Sequence, residues 1–200
     1  MARQKVKSGD ILQIPLPNDL GFAYAKLINL LEIDANSRYP ILIKVYNYRT
    51  KSFDKPVEDI VDMDLILCPI LIAGILPAIN KGGWKIVGNV ELNEGDKQIP
   101  DYKLGEPDEN PKQWFYLKDA DISKKIKSHY ENVRHLEDIG AKGSASVSTK
   151  IAMALLRDEG KNIEDYFKLE QYFEKKHYQE VIEIEPYYKQ EIAIRGKAIV

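Results

Sequence analysis

The feature that most constrains this chain is a pair of strand-like segments near its start, joined by a turn. Gly9-Asp10-Ile11-Leu12-Gln13-Ile14-Pro15-Leu16-Pro17 leads through Asn18 and Asp19 into Gly21-Phe22-Ala23-Tyr24-Ala25-Lys26-Leu27-Ile28. β-Branched and aromatic residues favour extended backbone, while Asn, Asp and Gly favour the reversal between them. A third segment, Tyr39 to Tyr48, gives the clearest strand signal in the chain. The period of two sets Ile41, Ile43 and Val45 on one face and Leu42, Lys44 and Tyr46 on the other. Asp34-Ala35-Asn36-Ser37 supplies the turn before it.

Further strands are expected at Trp84–Val90, after the tight Gly82-Gly83 turn, and at Gln113–Leu117. Between the third strand and Trp84, Pro56–Ile60 suits a short helical turn. Leu65–Ile79 is a nearly continuous apolar run, and periodicity does not separate strand from helix there. Leu92–Pro111 changes character. It holds three prolines, two glycines and six acids (Glu94, Asp96, Asp101, Glu106, Asp108, Glu109) against Lys97 and Lys103, a net of −4, and is expected to be a solvated loop.

The second half carries helical spacing. Ile122, Ile126, Tyr130, Val133 and Leu136 recur every three or four residues, with Asp119 or Asp121 to start a helix and Gly140 to end it. Val147, Ile151, Ala154 and Leu155 mark the next, begun by Ser144, Ser146 or Ser148 and closed by Gly160. Asn162 opens a third, with Ile163, Tyr166, Phe167, Leu169 and Phe173 facing inward. Val181–Ile184 and Ile192–Ile194 are expected to return as strands. The fold class is therefore α+β: an N-terminal antiparallel sheet, able to close into an SH3-like barrel, followed by C-terminal helices. The expected division is a β-rich part over residues 1–118 and a helical part over 119–200 that packs on it.

Chemical motifs are sparse. Gly143-Ser-Ala-Ser-Val-Ser-Thr-Lys150 lacks the second glycine of a phosphate loop and has Ile151 where a magnesium-binding hydroxyl belongs, so it suits a serine-rich helix start. His129 and His135, six apart, do not share a helix face as a zinc pair would, and no metal or other cofactor is expected. Glu58, Asp59, Asp62 and Asp64 cluster without the spacing of a calcium loop. Cys68 is the single cysteine, set in an apolar run that implies a buried thiol and excludes an intrachain disulfide. No apolar stretch reaches the roughly 20 residues of a membrane helix, so a reduced, cytoplasmic location is expected. With 29 basic and 31 acidic residues, net charge gives no drive toward nucleic acid. Lys124, Lys125 and Lys127 are flanked by Asp119, Asp121 and Glu131, as on the polar face of an amphipathic helix.

Gly9-Asp10-Ile11-Leu12-Gln13-Ile14-Pro15-Leu16, Gly21-Phe22-Ala23-Tyr24-Ala25-Lys26-Leu27 and Gly83-Trp84-Lys85-Ile86-Val87-Gly88 together resemble the immunity protein 26 family of bacterial polymorphic toxin systems. The resemblance covers about the first 90 to 115 residues. It implies a non-enzymatic protein that binds and neutralises a cognate protein toxin, and it carries no catalytic residues. For the contact surface, the acidic 92–111 segment suits a basic toxin through Asp101, Glu106 and Asp108, and Trp84 is a candidate anchor at a strand start. Two other readings stay open: a nucleic-acid-associated regulator on an SH3-like β-barrel, and an enzyme using carboxylates that converge only in space.

Overall fold

A computed structural model describes residues 6–33, 37–53, 55–106 and 112–200. Residues 34–36, the centre of the expected second turn, lie outside it, as does 107–111, which includes Asp108 and Glu109. Five strands form the main sheet: β1 (Asp10–Leu16), β2 (Gly21–Asn29), β3 (Ile41–Thr50), β4 (Ile70–Ile72) and β5 (Lys85–Asn89). Their order is β4-β3-β2-β1-β5, and each neighbouring pair is antiparallel. The first reversal forms as its residues dictate. Asn18 and Asp19 take left-handed φ values of 57° and 54°, which their short polar side chains tolerate. Gly21 follows at φ 91°, where a Cβ would run into the Thr50 carbonyl of β3.

β4 and β5 are the sheet's two edges, so among the described residues no ladder joins first to last into a barrel. The outer edge of β4 is closed instead by Lys142, whose amide donates to the Leu71 carbonyl at 2.7 Å and whose carbonyl accepts from Ala73 N–H at 2.9 Å. The apolar run at 65–79 resolves into β4 and a short helix, α2 (Ile75–Asn80), and Pro56–Ile60 becomes α1 (Val57–Val61). α1 lies so close to β5 that a Cβ at Gly88 would meet Val57 Cγ1 at 2.8 Å.

The principal core forms where one face of the sheet meets a 15-residue helix, α4 (Ser144–Asp158), placed by a Gly143 cap. Leu12, Ile14, Ala23, Ala25, Leu27, Ile43 and Val45 from the strands pack with Val147, Ile151, Ala154 and Leu155. The helical stripe expected from the sequence is thus the buried one. Each large side chain placed here contributes about 1.5–3 kcal/mol of burial free energy.

Several expectations are corrected. The helix expected from Asp119 to Leu136 does not form as one element: within it β8 (Lys125–Ser128) pairs with β7 (Gln113–Leu117), which pairs with β6 (Tyr102–Glu106). Only Tyr130–Val133 is α-helical, as α3. Lys125-Ile126-Lys127 alternates as well as it spirals, and pairing Ile126 with Tyr116 satisfies a backbone that a short isolated helix would leave open. Val133 and Leu136 are buried as the spacing implied, against Trp114 and Tyr116. The 92–111 segment is not one solvated loop, since it contains β6 and buries Asp96 and Asp101. Finally, Val181 closes a helix, α5 (Tyr172–Glu183), and 192–194 is a turn with Ile192 exposed. Asn162 does cap a start, accepting from Glu164 N–H, but of a single 3-10 turn; Ile163 and Phe167 point inward, while Tyr166 and Phe173 do not.

Candidate partner-binding site

The sheet face opposite α4 is built unlike the first. Alternation along β2 and β3 puts Phe22, Tyr24, Lys26, Leu42, Lys44, Tyr46 and Tyr48 there, joined by Gln13 of β1. Two lysines in the middle of a sheet demand partners, because an unpaired buried ammonium is costly. The chain supplies them from residues 91–96. Lys26 Nζ donates to the Glu91 carbonyl at 2.8 Å and to Asp96 Oδ2 at 2.6 Å, and Lys44 Nζ donates to the Gly95 carbonyl and sits 3.5 Å from Asp96 Oδ1. Asp96 is 7 % exposed and Lys26 2 %. Burial alone would raise the Asp96 carboxyl. Lys26, the Asn93 N–H and Lys44 outweigh it and hold the group below its ordinary value. Burial pulls Lys44 down, and Asp96 offsets part of that.

The structure locates the four residues singled out for partner contact. Trp84 is 2 % exposed and belongs to the principal core. Asp101 is 4 % exposed; its oxygens accept from Asp119 N–H at 3.1 Å and Ala198 N–H at 3.0 Å, with Lys197 3.5 Å away. Glu106, at the end of β6, is partly open to solvent and pairs with Lys125. Asp108 lies outside the described residues. The acids of 92–106 are therefore largely engaged, Glu94 with Lys97 included.

A different surface keeps its charge. Glu58, Asp59, Asp62 and Asp64 are all exposed and form no ion pair among the described residues. Beside them the ring of Tyr24 stacks on Tyr48 with centroids 5.6 Å apart, and Phe53, 49 % exposed, leans on Tyr24 at 6.0 Å. Lys55 Nζ stands 5.7 Å from the Tyr48 ring centre, a single ammonium against these four carboxylates, and such an acidic surface with an aromatic edge suits contact with a basic protein surface. The sequence marked these four carboxylates as a cluster; only the fold sets the aromatic rim against them.

Between α4 and α5 runs an ionic network that no motif announced. Lys150 Nζ donates to both oxygens of Glu137 at 2.6 and 2.8 Å and lies 3.1 Å from Glu180 Oε2. Burial would lower Lys150, but Glu137 and Glu180 hold it above its ordinary value. Burial would raise Glu180, yet His177 and Lys150 keep it well below the carboxylate range. Ser146 Oγ is 2.9 Å from His177 Nε2, and His177 Nδ1 is 3.5 Å from Glu180 Oε2. The serine–histidine contact is within the 2.6–3.2 Å reach of an activated nucleophile, but the histidine–carboxylate contact at 3.5 Å is outside hydrogen-bond reach and Glu180 is engaged by Lys150, so these side chains tie α4 to α5. Cys68, which borders this network, has its thiol pushed far up by burial. Among the described residues no group of three His, Cys, Asp or Glu is arranged to hold a metal, and no helix is long and apolar enough to cross a membrane.

The family model described as immunity protein 26 matches residues 7–114, more than half of the chain. No curated protein and no solved structure matches it.

Proposed function

Because the chain belongs to the immunity protein 26 family, we propose that it neutralises a cognate protein toxin by binding it directly, without turning over a substrate. The match across residues 7–114 carries this reading, since it runs from the first strand of the main sheet to the start of β7. A stoichiometric inhibitor needs a surface held rigid before contact, because ordering it afterwards costs affinity. A sheet buried on both faces provides that support.

The contact we favour is the acidic and aromatic corner of Tyr48, Phe53, Glu58, Asp59, Asp62 and Asp64, which lies within the matched part and would meet a basic toxin face. Glu106, next in sequence to the segment that carries Asp108, is a second acidic contact. Trp84 and Asp101 act through the scaffold: one fills the core beneath β5, the other ties β6 to residues 119 and 198.

Co-expression with the toxin encoded beside this gene tests the proposal, with restored growth and a complex recovered by pull-down as the expected result. Growth arrest by every neighbouring toxin despite soluble expression of this chain would sink it. Reversing Glu58, Asp59 and Asp62 to lysine is expected to weaken the complex by at least about tenfold and to flatten its salt dependence. Unchanged affinity would move the contact elsewhere.

A further inference from the structure

A separate cleft opens where the 95–100 segment meets the chain's last turn. Lys44, Leu65, Pro69, Pro100, Tyr187, Arg195 and Lys197 form its walls, and its space is about 60 Å³, enough for one small polyatomic ion but not for a side chain as large as tryptophan. Its charge is lopsided. Lys26 and Lys44 share the single carboxylate of Asp96. Lys197 faces Asp119 at 3.0 Å and Asp101 at 3.5 Å. Arg195 has no carboxylate partner among the described residues: one Nη donates to the Tyr188 and Gln190 carbonyls at 2.6 and 2.9 Å, and its buried Nε meets no acceptor. Three cations, Lys44, Arg195 and Lys197, thus line one small space with no acid in its walls, Lys44 and Lys197 being paired to carboxylates behind it.

The walls are also rich in donors. Tyr187 sets its ring 5.7 Å from the Arg195 guanidinium, and its hydroxyl makes no hydrogen bond among the described residues. Gly196 keeps this wall close, since a Cβ there would meet the Tyr187 oxygen at 2.9 Å and Pro100 Cβ at 3.2 Å. A guanidinium without its carboxylate, a free phenol and two ammonium groups converging on one cleft are the parts of an oxyanion site.

We propose that this cleft binds a phosphate group, with Arg195 and Tyr187 as direct donors and Lys44 and Lys197 supplying charge. Phosphate fits better than a carboxylate because its extra oxygen gives the donors on the several walls an acceptor each. The site is remote in composition from the acidic corner and does not depend on toxin binding.

The test is an NMR titration of the whole protein with inorganic phosphate at low ionic strength, with acetate and chloride as parallel arms. Saturable amide shifts confined to 95–100, 187 and 195–197, stronger for phosphate than for acetate, are expected. Arg195→Gln should weaken phosphate binding about tenfold or more. Arg195 also holds two backbone carbonyls, so Tyr187→Phe is the second variant, with an expected loss of about threefold and an unchanged melting temperature. Acetate binding as tightly as phosphate, shifts scattered over the surface, or equal affinity in the Tyr187→Phe protein would each overturn the assignment.

Discussion

The two faces of the five-stranded sheet solve one problem in different ways. Against α4 the face is aliphatic throughout, and its strands present Leu12, Ile14, Leu27, Ile43 and Val45 to a complementary helical stripe. The opposite face carries Lys26, Lys44, Gln13, Tyr24 and Tyr46 at the alternating positions, all buried, and is closed by a segment about fifty residues later through Gly95 and Asp96. The first face is stabilised by area alone and tolerates small changes in shape. The second depends on one carboxylate serving two ammonium groups, so its stability is concentrated in a single residue.

The sharpest way to break this contrast is Asp96→Ala, which would leave two buried cations facing each other. A loss of about 3–5 kcal/mol is expected by chemical denaturation, and a loss under 1 would show that water reaches both lysines. Next, Leu27→Ala on the aliphatic face should cost about 2–4 kcal/mol through transfer and cavity terms. Acid sharpens the comparison further. Asp96 titrates below its unfolded value of roughly 3.9, so its contribution is fully present above that value and is lost as pH falls through the lower folded one. The wild-type protein should therefore lose stability more steeply below about pH 4 than Asp96→Asn, which has no such carboxylate to protonate. The smallest effect is expected from Tyr24→Phe. It removes the 3.1 Å bond from Gln13 Nε2 to the Tyr24 hydroxyl and should cost about 1 kcal/mol.

Local rules made the first face legible. The period of two in β3 and the stripe in α4 both point to residues that pack together, because apolar alternation and apolar spirals depend only on near neighbours. The second face was half legible: alternation correctly groups Lys44 with Leu42 and Tyr46, but nothing local shows that residues 91–96 fold over it. The same distance effect hid the fate of Asp101, whose partners are Asp119 and Ala198. Of the β6-β7-β8 sheet the sequence showed β7 alone, and β8 was missed for another reason. Lys125-Ile126-Lys127-Ser128 is too short for its period to be decided, and pairing with Tyr116 settles it. The acidic corner could be seen as a charge cluster, whereas its aromatic rim required β2 and β3 to be side by side.

The stitching of residues 196–199 into the body has a practical result. Asp101 N–H donates to the Gly196 carbonyl, Ala198 N–H to the Asp101 carboxylate, and Ile199 N–H to the Asn132 carbonyl. Trimming these positions, or pulling on them with a short affinity handle, strips donors from a carboxylate that sits out of water. A reporter joined here through a long flexible spacer spares that lock, whereas a nick at 195 should loosen β6 and α3 together.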